Sequence, residues 1–176
     1  MSSLLIVRAA SFAADKHRKQ RRKGADGNPY INHPLEVARL LAEHGIDDAI
    51  VLAGAILHDT VEDTDTSFDE LTEAFGKEVS DIVRECTDDK NLPKVDRKRL
   101  QIEHTPNMSD RGKLVKLADK TSNVTDIHRS PPQWPIERRL AYFDWAEAVI
   151  AGLRGVHPEL EALFDARLAD GRAALS

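Results

Sequence analysis

The chain has 176 residues, of which 41% are hydrophobic and 31% are charged, and its formal net charge is −5. This length suits one domain, and the composition is that of a globular protein that folds in water; it has neither the apolar excess of a membrane protein nor the apolar depletion of a disordered one. The acidic net charge argues against nucleic acid as the main partner, because a phosphate backbone favours a basic face. We therefore predict a single domain over residues 1–176 that binds neither nucleic acid nor a membrane.

Cys86 and the N-terminal residues bear on the cellular compartment. Cys86 is the single cysteine, which excludes an internal disulfide framework and suits a reducing compartment. The apolar patch near the N-terminus is not preceded by a basic region and turns polar too soon for a signal peptide. No stretch approaches the roughly 20 apolar residues that a membrane span needs. We expect a cytoplasmic protein in which Cys86 is a small buried hydrophobic residue.

Helical periodicity dominates the chain, and no segment alternates apolar and polar residues over the length of a strand, so we predict an all-α fold. In the third helix, Asp47 is the predicted N-cap and the body "AIVLAGAIL" is nearly all apolar, so this helix should be central. Ser67 and Glu70 predict a capping box, and Gly76 predicts the stop of the same helix. The predicted helices cover residues 3–22, 34–44, 48–57, 68–75, 77–87, 93–104, 109–127, 135–150 and 158–169.

A basic run, "KHRKQRRKG", covers residues 16–24 at the predicted end of the first helix. Six of its nine residues are Lys or Arg. Such runs are often solvated helix faces, but they also contact anionic ligands. Both readings are open from the run alone.

His58 and Asp59 directly follow the apolar body of the third helix. An uncompensated charge on Asp59 would be costly there, so a bound cation or a buried salt bridge to Arg or Lys is expected. His33, at a helix entrance just before Pro34, and Asp119, an acid on an apolar helix face, could share the site. Two imidazoles and two carboxylates suit Mn²⁺, Fe²⁺, Co²⁺ or Zn²⁺. Spacing alone does not assemble this set.

Three blocks in this order, "YINHP", "LHDTVEDT" and "KLADKTSN", resemble the HD superfamily of metal-dependent phosphohydrolases. The resemblance is to the hydrolase domain of the RelA/SpoT alarmone enzymes, and most of all to the small SpoT-homologue hydrolases of the metazoan type. It extends through "QRRKG", "TDDKNLPKVDRKRLQ" and "YFDWA", nearly the whole chain. It implies a compact all-α HD-domain bundle.

The resemblance also implies specific roles. One Mn²⁺ per chain would be bound by two histidines and two aspartates, namely His33, His58, Asp59 and Asp119. Catalysis would fall to the acidic pair Glu62 and Asp63, about one helical turn beyond His58. The carboxylates would then face the water that the metal activates.

Substrate contacts follow from the same resemblance. Arg22 and Lys23 would lie against the guanine nucleotide and its phosphates, and Asn123, four residues after Asp119, would contact the nucleotide. The remaining candidates either line the phosphate side or are exposed to solvent; they are Lys90, Lys94, Arg97, Lys98 and Tyr142.

The implied activity is hydrolysis of the 3′-pyrophosphate of guanosine tetraphosphate or pentaphosphate, which yields GDP or GTP plus pyrophosphate. No synthetase or regulatory region accompanies the hydrolase blocks, so we expect degradation only. One alternative is a phosphatase for another 2′- or 3′-phosphorylated nucleotide such as NADPH. The other is a non-catalytic HD module that senses a nucleotide, although such a module would not need Glu62 and Asp63.

Overall fold

The computed structural model describes residues 2–176 and folds them into ten α-helices and one short 3₁₀ helix. The all-α prediction is confirmed, since extended segments within this range meet only in two isolated bridges. The helices are α1 (Ser2–Lys16), α2 (Asn32–Glu43), α3 (Ala49–Leu57), α4 (Thr60–Asp63), α5 (Phe68–Phe75), α6 (Lys77–Cys86), α7 (Lys94–His104), α8 (Asp110–Arg129), α9 (Ile136–Ala151) and α10 (Pro158–Ala173), with the 3₁₀ helix at Thr105–Asn107. Within residues 2–176, no helix is both long and apolar enough to cross a membrane.

Helices α3 and α8 form the centre of the molecule. Every residue of α3 from Val51 to Leu57 is buried, as the apolar run predicted, and α3 packs against α1, α2, α6 and α8. Helix α8 contacts α2, α6, α9 and α10. The approach of α3 to α6 depends on Gly54, because a Cβ at this position would lie 2.7 Å from Ile82 Cγ2. The surrounding helices therefore pack against a common core formed by α3 and α8.

The predicted end of the first helix was wrong. Helix α1 ends at Lys16, not at Arg22, although Lys and Arg are good helix formers. Tertiary bonds override this propensity: the Arg22 backbone N–H donates to Asn28 O at 2.8 Å, and the Arg22 side chain reaches α8. The second half of the basic run is consequently a loop against the body of the protein.

The caps agree with the sequence in part. Asp48, not Asp47, caps α3, because Asp48 is extended and its Oδ1 accepts the Ile50 N–H at 2.9 Å. Ser67 Oγ accepts the Glu70 N–H at 3.1 Å, whereas the Glu70 carboxylate pairs with Lys16 at 3.1 Å. Only half of the predicted capping box therefore forms.

Three further predictions concern the end of the last helix, the burial of Cys86 and the stop at Gly76. Helix α10 continues to Ala173, four residues beyond the predicted Ala169. Cys86 is buried, as predicted for a small hydrophobic residue. The stop at Gly76 is also as predicted, with a φ of 89° that favours glycine.

Two leucines of α2 test the account of the core. Leu41 is fully buried and Leu35 is 41% exposed. Leu41→Ala should lower the free energy of unfolding by about 2–5 kcal/mol, because it removes buried methyl groups and leaves a cavity. Leu35→Ala, the matched control on the same helix, should change it by less than about 1 kcal/mol. Urea denaturation of both variants measures the difference, and equal losses would contradict this packing.

Candidate active site

Three separate segments bring a metal-binding group together in the core. His33 lies in the first turn of α2, His58 directly follows α3, and Asp119 lies in the middle of α8. All three are buried, and each offers one ligand atom within 4.8 Å of the others. His58 lies at the break after α3. The Thr60 hydroxyl stabilises this break by donating to Leu57 O at 2.7 Å. This group has the donor atoms and the proximity that a divalent cation requires.

The orientation of His58 directs a free nitrogen into this group. Its Nδ1 lies 2.7 Å from Ala55 O, a carbonyl that only accepts, so Nδ1 carries the proton. His58 Nε2 is buried without a hydrogen-bond partner in residues 2–176. Burial opposes a charge on this imidazole, but Asp59 and Asp119 outweigh burial and raise the pKa of His58 well above its usual value. A cation bound here would take the place of the Nε2 proton, and Nε2 would offer it a lone pair. The distance from Nε2 to Asp119 Oδ1 is 3.5 Å. A buried lone pair that faces a carboxylate fits a bound cation, since a cation would satisfy both.

His33 is held in a comparable way. Its Nδ1 lies 3.1 Å from Ser122 Oγ and its Nε2 lies 3.1 Å from Asp119 Oδ1. Burial lowers the pKa of His33, so the neutral form that can bind a metal is favoured. Lys120 Nζ stands 3.2 Å from Asp119 Oδ2. Burial alone would raise the pKa of Asp119, but Lys120 and the two histidines hold it well below its usual range.

Asp59, the fourth predicted ligand, lies beside this group. Its Oδ2 is 3.1 Å from His58 Nε2 and 3.7 Å from His33 Nε2. It also accepts a hydrogen bond of 2.6 Å from the Tyr30 hydroxyl. Burial opposes its charge, but His58 outweighs burial and keeps the pKa of Asp59 below its usual range. A carboxylate that stays ionised in this position can complete the donor set.

The acidic pair occupies the short helix α4. Glu62 Oε1 accepts the Asp88 backbone N–H at 2.6 Å, and burial raises the pKa of Glu62 to about 7. Asp63 Oδ1 receives Lys90 Nζ at 2.7 Å, and its Oδ2 receives the Tyr30 hydroxyl at 3.2 Å. Both carboxylates line the large cavity of the protein. Glu62 therefore has the proton affinity that suits an acid or base near neutral pH.

The cavity has a volume of about 940 Å³ and connects most of the predicted substrate contacts. The metal-binding group adjoins it through His33, which is part of the lining. The predicted residues in its lining are Arg22, Lys23, His33, Glu62, Asp63, Lys90, Arg97, Asn123 and Tyr142. Neither Lys94 nor Lys98 belongs to the lining, and Lys98 Nζ instead lies 4.7 Å from the centre of the Trp145 ring.

Arg22 and Asn123 are fixed before any ligand arrives. Arg22 Nη2 donates to Asn123 Oδ1 and to Asp126 Oδ2, each at 2.8 Å. Asn123 Nδ2 in turn donates to Asp119 Oδ1 at 2.7 Å. A continuous chain of hydrogen bonds thus joins the guanidinium in the cavity to the metal-binding group.

Sequence reasoning missed several residues of this site, most clearly Tyr30, Ser122 and Asp126. Tyr30 lies three residues before His33, and Ser122 lies three residues after Asp119, so both stand within the motifs that identified their neighbours. Helical spacing of i and i+3 places Ser122 on the face of Asp119. That spacing could have predicted Ser122, whereas the Asp126 contact depends on the loop that carries Arg22.

Comparison with known proteins identifies the family of the chain. The HD domain family model matches residues 9–142. A guanosine-3′,5′-bis(diphosphate) 3′-pyrophosphohydrolase MESH1 from Xenopus tropicalis is 55% identical over 163 residues, which are 92% of this chain and 91% of that protein. MESH1 from Homo sapiens is 54% identical and covers 89% of this chain and 88% of its own length.

A solved structure agrees in fold along nearly the whole chain. It is described as a metazoan ortholog of SpoT that hydrolyzes ppGpp and plays a role in starvation responses. It matches with a TM-score of 0.91 and 46% identity, over 94% of both chains. The resemblance on which the sequence predictions relied is therefore confirmed. The chain belongs to the HD-domain family and is closely related to the metazoan MESH1 proteins.

Proposed function

We propose that this protein is a guanosine-3′,5′-bis(diphosphate) 3′-pyrophosphohydrolase that converts guanosine tetraphosphate or pentaphosphate into GDP or GTP plus pyrophosphate. The observation that carries the proposal is identity of 54–55% with two enzymes of that name over about nine-tenths of this chain. The site has the chemistry that this reaction needs. A buried His and Asp group and an acidic pair stand beside one cavity, which also presents basic side chains for phosphates.

One Mn²⁺ per chain is the proposed cofactor. Its protein ligands would be the two imidazoles and two carboxylates of His33, His58, Asp59 and Asp119. When bound, such an ion lowers the pKa of a coordinated water and polarises the phosphate oxygens. The buried His58 Nε2, which has no hydrogen-bond partner in residues 2–176, and the ionised state of Asp119 support this set. Asp59, with its 2.6 Å hydrogen bond from Tyr30, is the ligand that a neighbouring side chain orients most directly.

Glu62 and Asp63 are the proposed catalytic residues. The Glu62 carboxylate would take a proton from the attacking water as oxygen bonds to the 3′-phosphorus, and the bond from phosphorus to the ribose 3′-oxygen breaks. The 3′-oxygen gains a proton as pyrophosphate leaves. The pKa of about 7 for Glu62 suits both proton transfers near neutral pH. Asp63, fixed by Lys90 and Tyr30, would orient the water.

Arg22, Lys23, Asn123 and Tyr142 are the proposed nucleotide contacts. The Arg22 guanidinium is already oriented by Asp126 and Asn123, so little side-chain entropy is lost when a nucleotide binds to it. Lys23 and Tyr142 share the cavity lining with it. A contact with Lys94, exposed in the first turn of α7, stays a prediction.

Substrate turnover tests the proposed function directly. Protein loaded with Mn²⁺ should release pyrophosphate and GDP from guanosine tetraphosphate. Ion-exchange chromatography detects both products. The same preparation incubated with NADPH tests the phosphatase alternative by release of inorganic phosphate. Binding of the tetraphosphate without any pyrophosphate would contradict the proposal and favour a sensing module.

His58→Ala should abolish stable metal binding. The variant lacks the Nε2 lone pair, and loss of one ligand of a mixed site greatly weakens the rest. Elemental analysis should find about one Mn²⁺ per chain in wild-type protein and almost none in this variant. Chelator should lower the melting temperature of wild-type protein but not that of His58→Ala, because only a folded state that binds metal gains stability from it.

His128→Ala is the matched control for His58→Ala. His128 is exposed on α8, the helix that carries Asp119. It should keep both the ion and the chelator effect on melting temperature. Full metal occupancy in His58→Ala would remove this histidine from the site.

Glu62→Gln should lower kcat by about 10²–10⁴-fold, the usual contribution of a general base, and should retain the metal. Glutamine keeps an oxygen that accepts the Asp88 N–H, so the fold should be preserved. In wild-type protein kcat should fall as pH drops below about 7, because the carboxylate that accepts the proton becomes protonated. This dependence on Glu62 should be absent from Glu62→Gln.

Glu73→Gln is the matched control for the general base. Glu73 is exposed on α5, and its replacement should leave the pH profile and kcat unchanged. A Glu62→Gln protein that is stable but free of metal would instead make Glu62 a ligand.

The double variant Arg22→Ala and Lys23→Ala should raise KM for the tetraphosphate by at least about tenfold, since two cations that face the phosphates are lost. Metal content should not change. Lys19→Ala, an exposed position of the same basic run, should leave KM as it is. An unchanged KM in the double variant would make the run a solvated surface.

A further inference from the structure

The connection between α6 and α7, residues 87–93, contacts both members of the acidic pair. The Asp88 backbone N–H donates to Glu62 Oε1 at 2.6 Å, and Lys90 Nζ donates to Asp63 Oδ1 at 2.7 Å. Glu62 and Asp63 are adjacent in α4, whereas their partners lie about 26 residues further along the chain. The 87–93 connection therefore determines where both carboxylates point.

Few bonds hold the 87–93 connection in place. Its internal hydrogen bonds are local, such as Leu92 N–H to Asp89 O at 3.1 Å, and they do not tie it to the rest of the protein. Asp89, Lys90 and Asn91 are exposed. Such a segment would be mobile on the basis of these bonds alone, because exposed backbone with few tertiary contacts opens at little cost.

Gln101 supplies the attachment from outside. Its Nε2 donates to Asp88 Oδ2 at 2.7 Å from the middle of α7, and the bond is partly buried. Besides the Arg97 N–H bond to Pro93 O at the start of α7, it is the described hydrogen bond that joins the connection to this helix. Helix α7 is itself anchored to α9, because the Trp145 indole N–H donates to Lys98 O at 3.0 Å. Gln101 therefore adds a side-chain link between α7 and Asp88, beside the attachment of Asp88 to α6 through Thr87, whose hydroxyl donates to Val83 O at 2.7 Å.

Without Gln101, the Asp88 carboxylate loses the donor that holds it against α7. The Glu62 carboxyl group lies near it, so a half-buried Asp88 carboxylate without a donor would gain by turning towards water. If the backbone of the exposed connection shifts with this side chain, the Asp88 N–H moves away from Glu62. A displacement of about 1 Å in a catalytic group can cost about 10²-fold in rate.

We propose that Gln101 is a positioning residue for the reaction, which acts through Asp88 to hold the Glu62 carboxylate in place. The proposal rests on the proposed function, because it assumes that Glu62 takes the proton from water. Gln101 itself does not touch the reacting atoms. Its loss should therefore slow the chemical step without weakening substrate or metal binding.

Gln101→Met removes the amide donor and keeps the length of the side chain. We expect kcat to fall by about 10-fold to 100-fold, with KM changed by less than about twofold and the metal retained. Glu103→Met, an exposed position two residues further along α7, is the control and should leave kcat unchanged. An unchanged kcat in Gln101→Met, or a fall that accompanies an equal rise in KM, would overturn the proposal.

A double-mutant cycle with Asp88→Ala shows whether Gln101 acts through Asp88. Asp88→Ala keeps the backbone N–H but removes the group that Gln101 holds. In that background Gln101→Met should lower kcat no further, whereas full additivity would overturn the proposed route.

Amide exchange separates failure of this proposal from failure of the proposed function. Hydrogen–deuterium exchange of the Asp88 amide, followed by NMR, should become at least about tenfold faster in Gln101→Met and stay unchanged in Glu103→Met. Unchanged exchange would overturn the positioning role even in an active enzyme. Wild-type protein that exchanges as expected but hydrolyses no guanosine tetraphosphate would instead contradict the proposed function.

Discussion

The structure depends on the burial of imidazoles and carboxylates at the end of an apolar helix. Helix α3 brings seven consecutive buried residues to His58, where a charged or unpaired polar group has little access to water. Such a group must be matched by partners of opposite character or it would destabilise the fold. His33, Asp59 and Asp119 are those partners, and the same closeness that satisfies them creates a set of candidate metal ligands.

Hydrogen bonds from neighbouring residues orient the side chains of the metal-binding group. The Ala55 carbonyl fixes the tautomer of His58, Ser122 holds His33, and the Tyr30 hydroxyl joins Asp59 to Asp63. The bonds to Ala55 O and Ser122 use the Nδ1 atoms of the two histidines and leave both Nε2 atoms facing the centre, and the Tyr30 bond occupies one side of Asp59 Oδ2. Hydrogen bonds of this kind around ligands set their direction and basicity, which is why the site can be both rigid and reactive.

The residues of the cavity and their hydrogen-bond partners come from segments that are distant in sequence. The loop after α1 carries Arg22, helix α8 carries Asn123, and the 87–93 connection carries the donors to Glu62 and Asp63. Arg22 and Asn123 are linked through Asp119 to the metal-binding group. The proposed nucleotide contacts and the metal-binding group are therefore joined by one network of hydrogen bonds that spans several elements.

The sequence predicted the helices well where propensity and stop signals agree. It correctly identified α3 as central and Ser67 and Gly76 as boundaries of α5. It failed at Arg22, because the bonds to Asn28, Asn123 and Asp126 outweigh local helix propensity and cannot be read from neighbouring residues. Spacing could not assemble the metal-binding group either; resemblance to a family supplied it.

The raised pKa of Glu62 could not be predicted from the sequence either. It arises from burial, which the hydrogen bond from the Asp88 N–H opposes and the negative charge of Asp88 reinforces, and Asp88 lies 26 residues away along the chain. Gln101, which holds Asp88, shows no distinguishing pattern within the polar helix α7. Properties that depend on pairs of distant side chains require the folded structure.

Anomalous X-ray diffraction from crystals loaded with Mn²⁺ tests the central claim most directly. One strong peak per chain should lie about 2.0–2.3 Å from His33 Nε2, His58 Nε2 and carboxylate oxygens of Asp119 and Asp59. Glu62 and Asp63 should stand beside the ion without binding to it. A peak bound by Glu62 in place of His58, or no peak between α2, α3 and α8, would contradict the account.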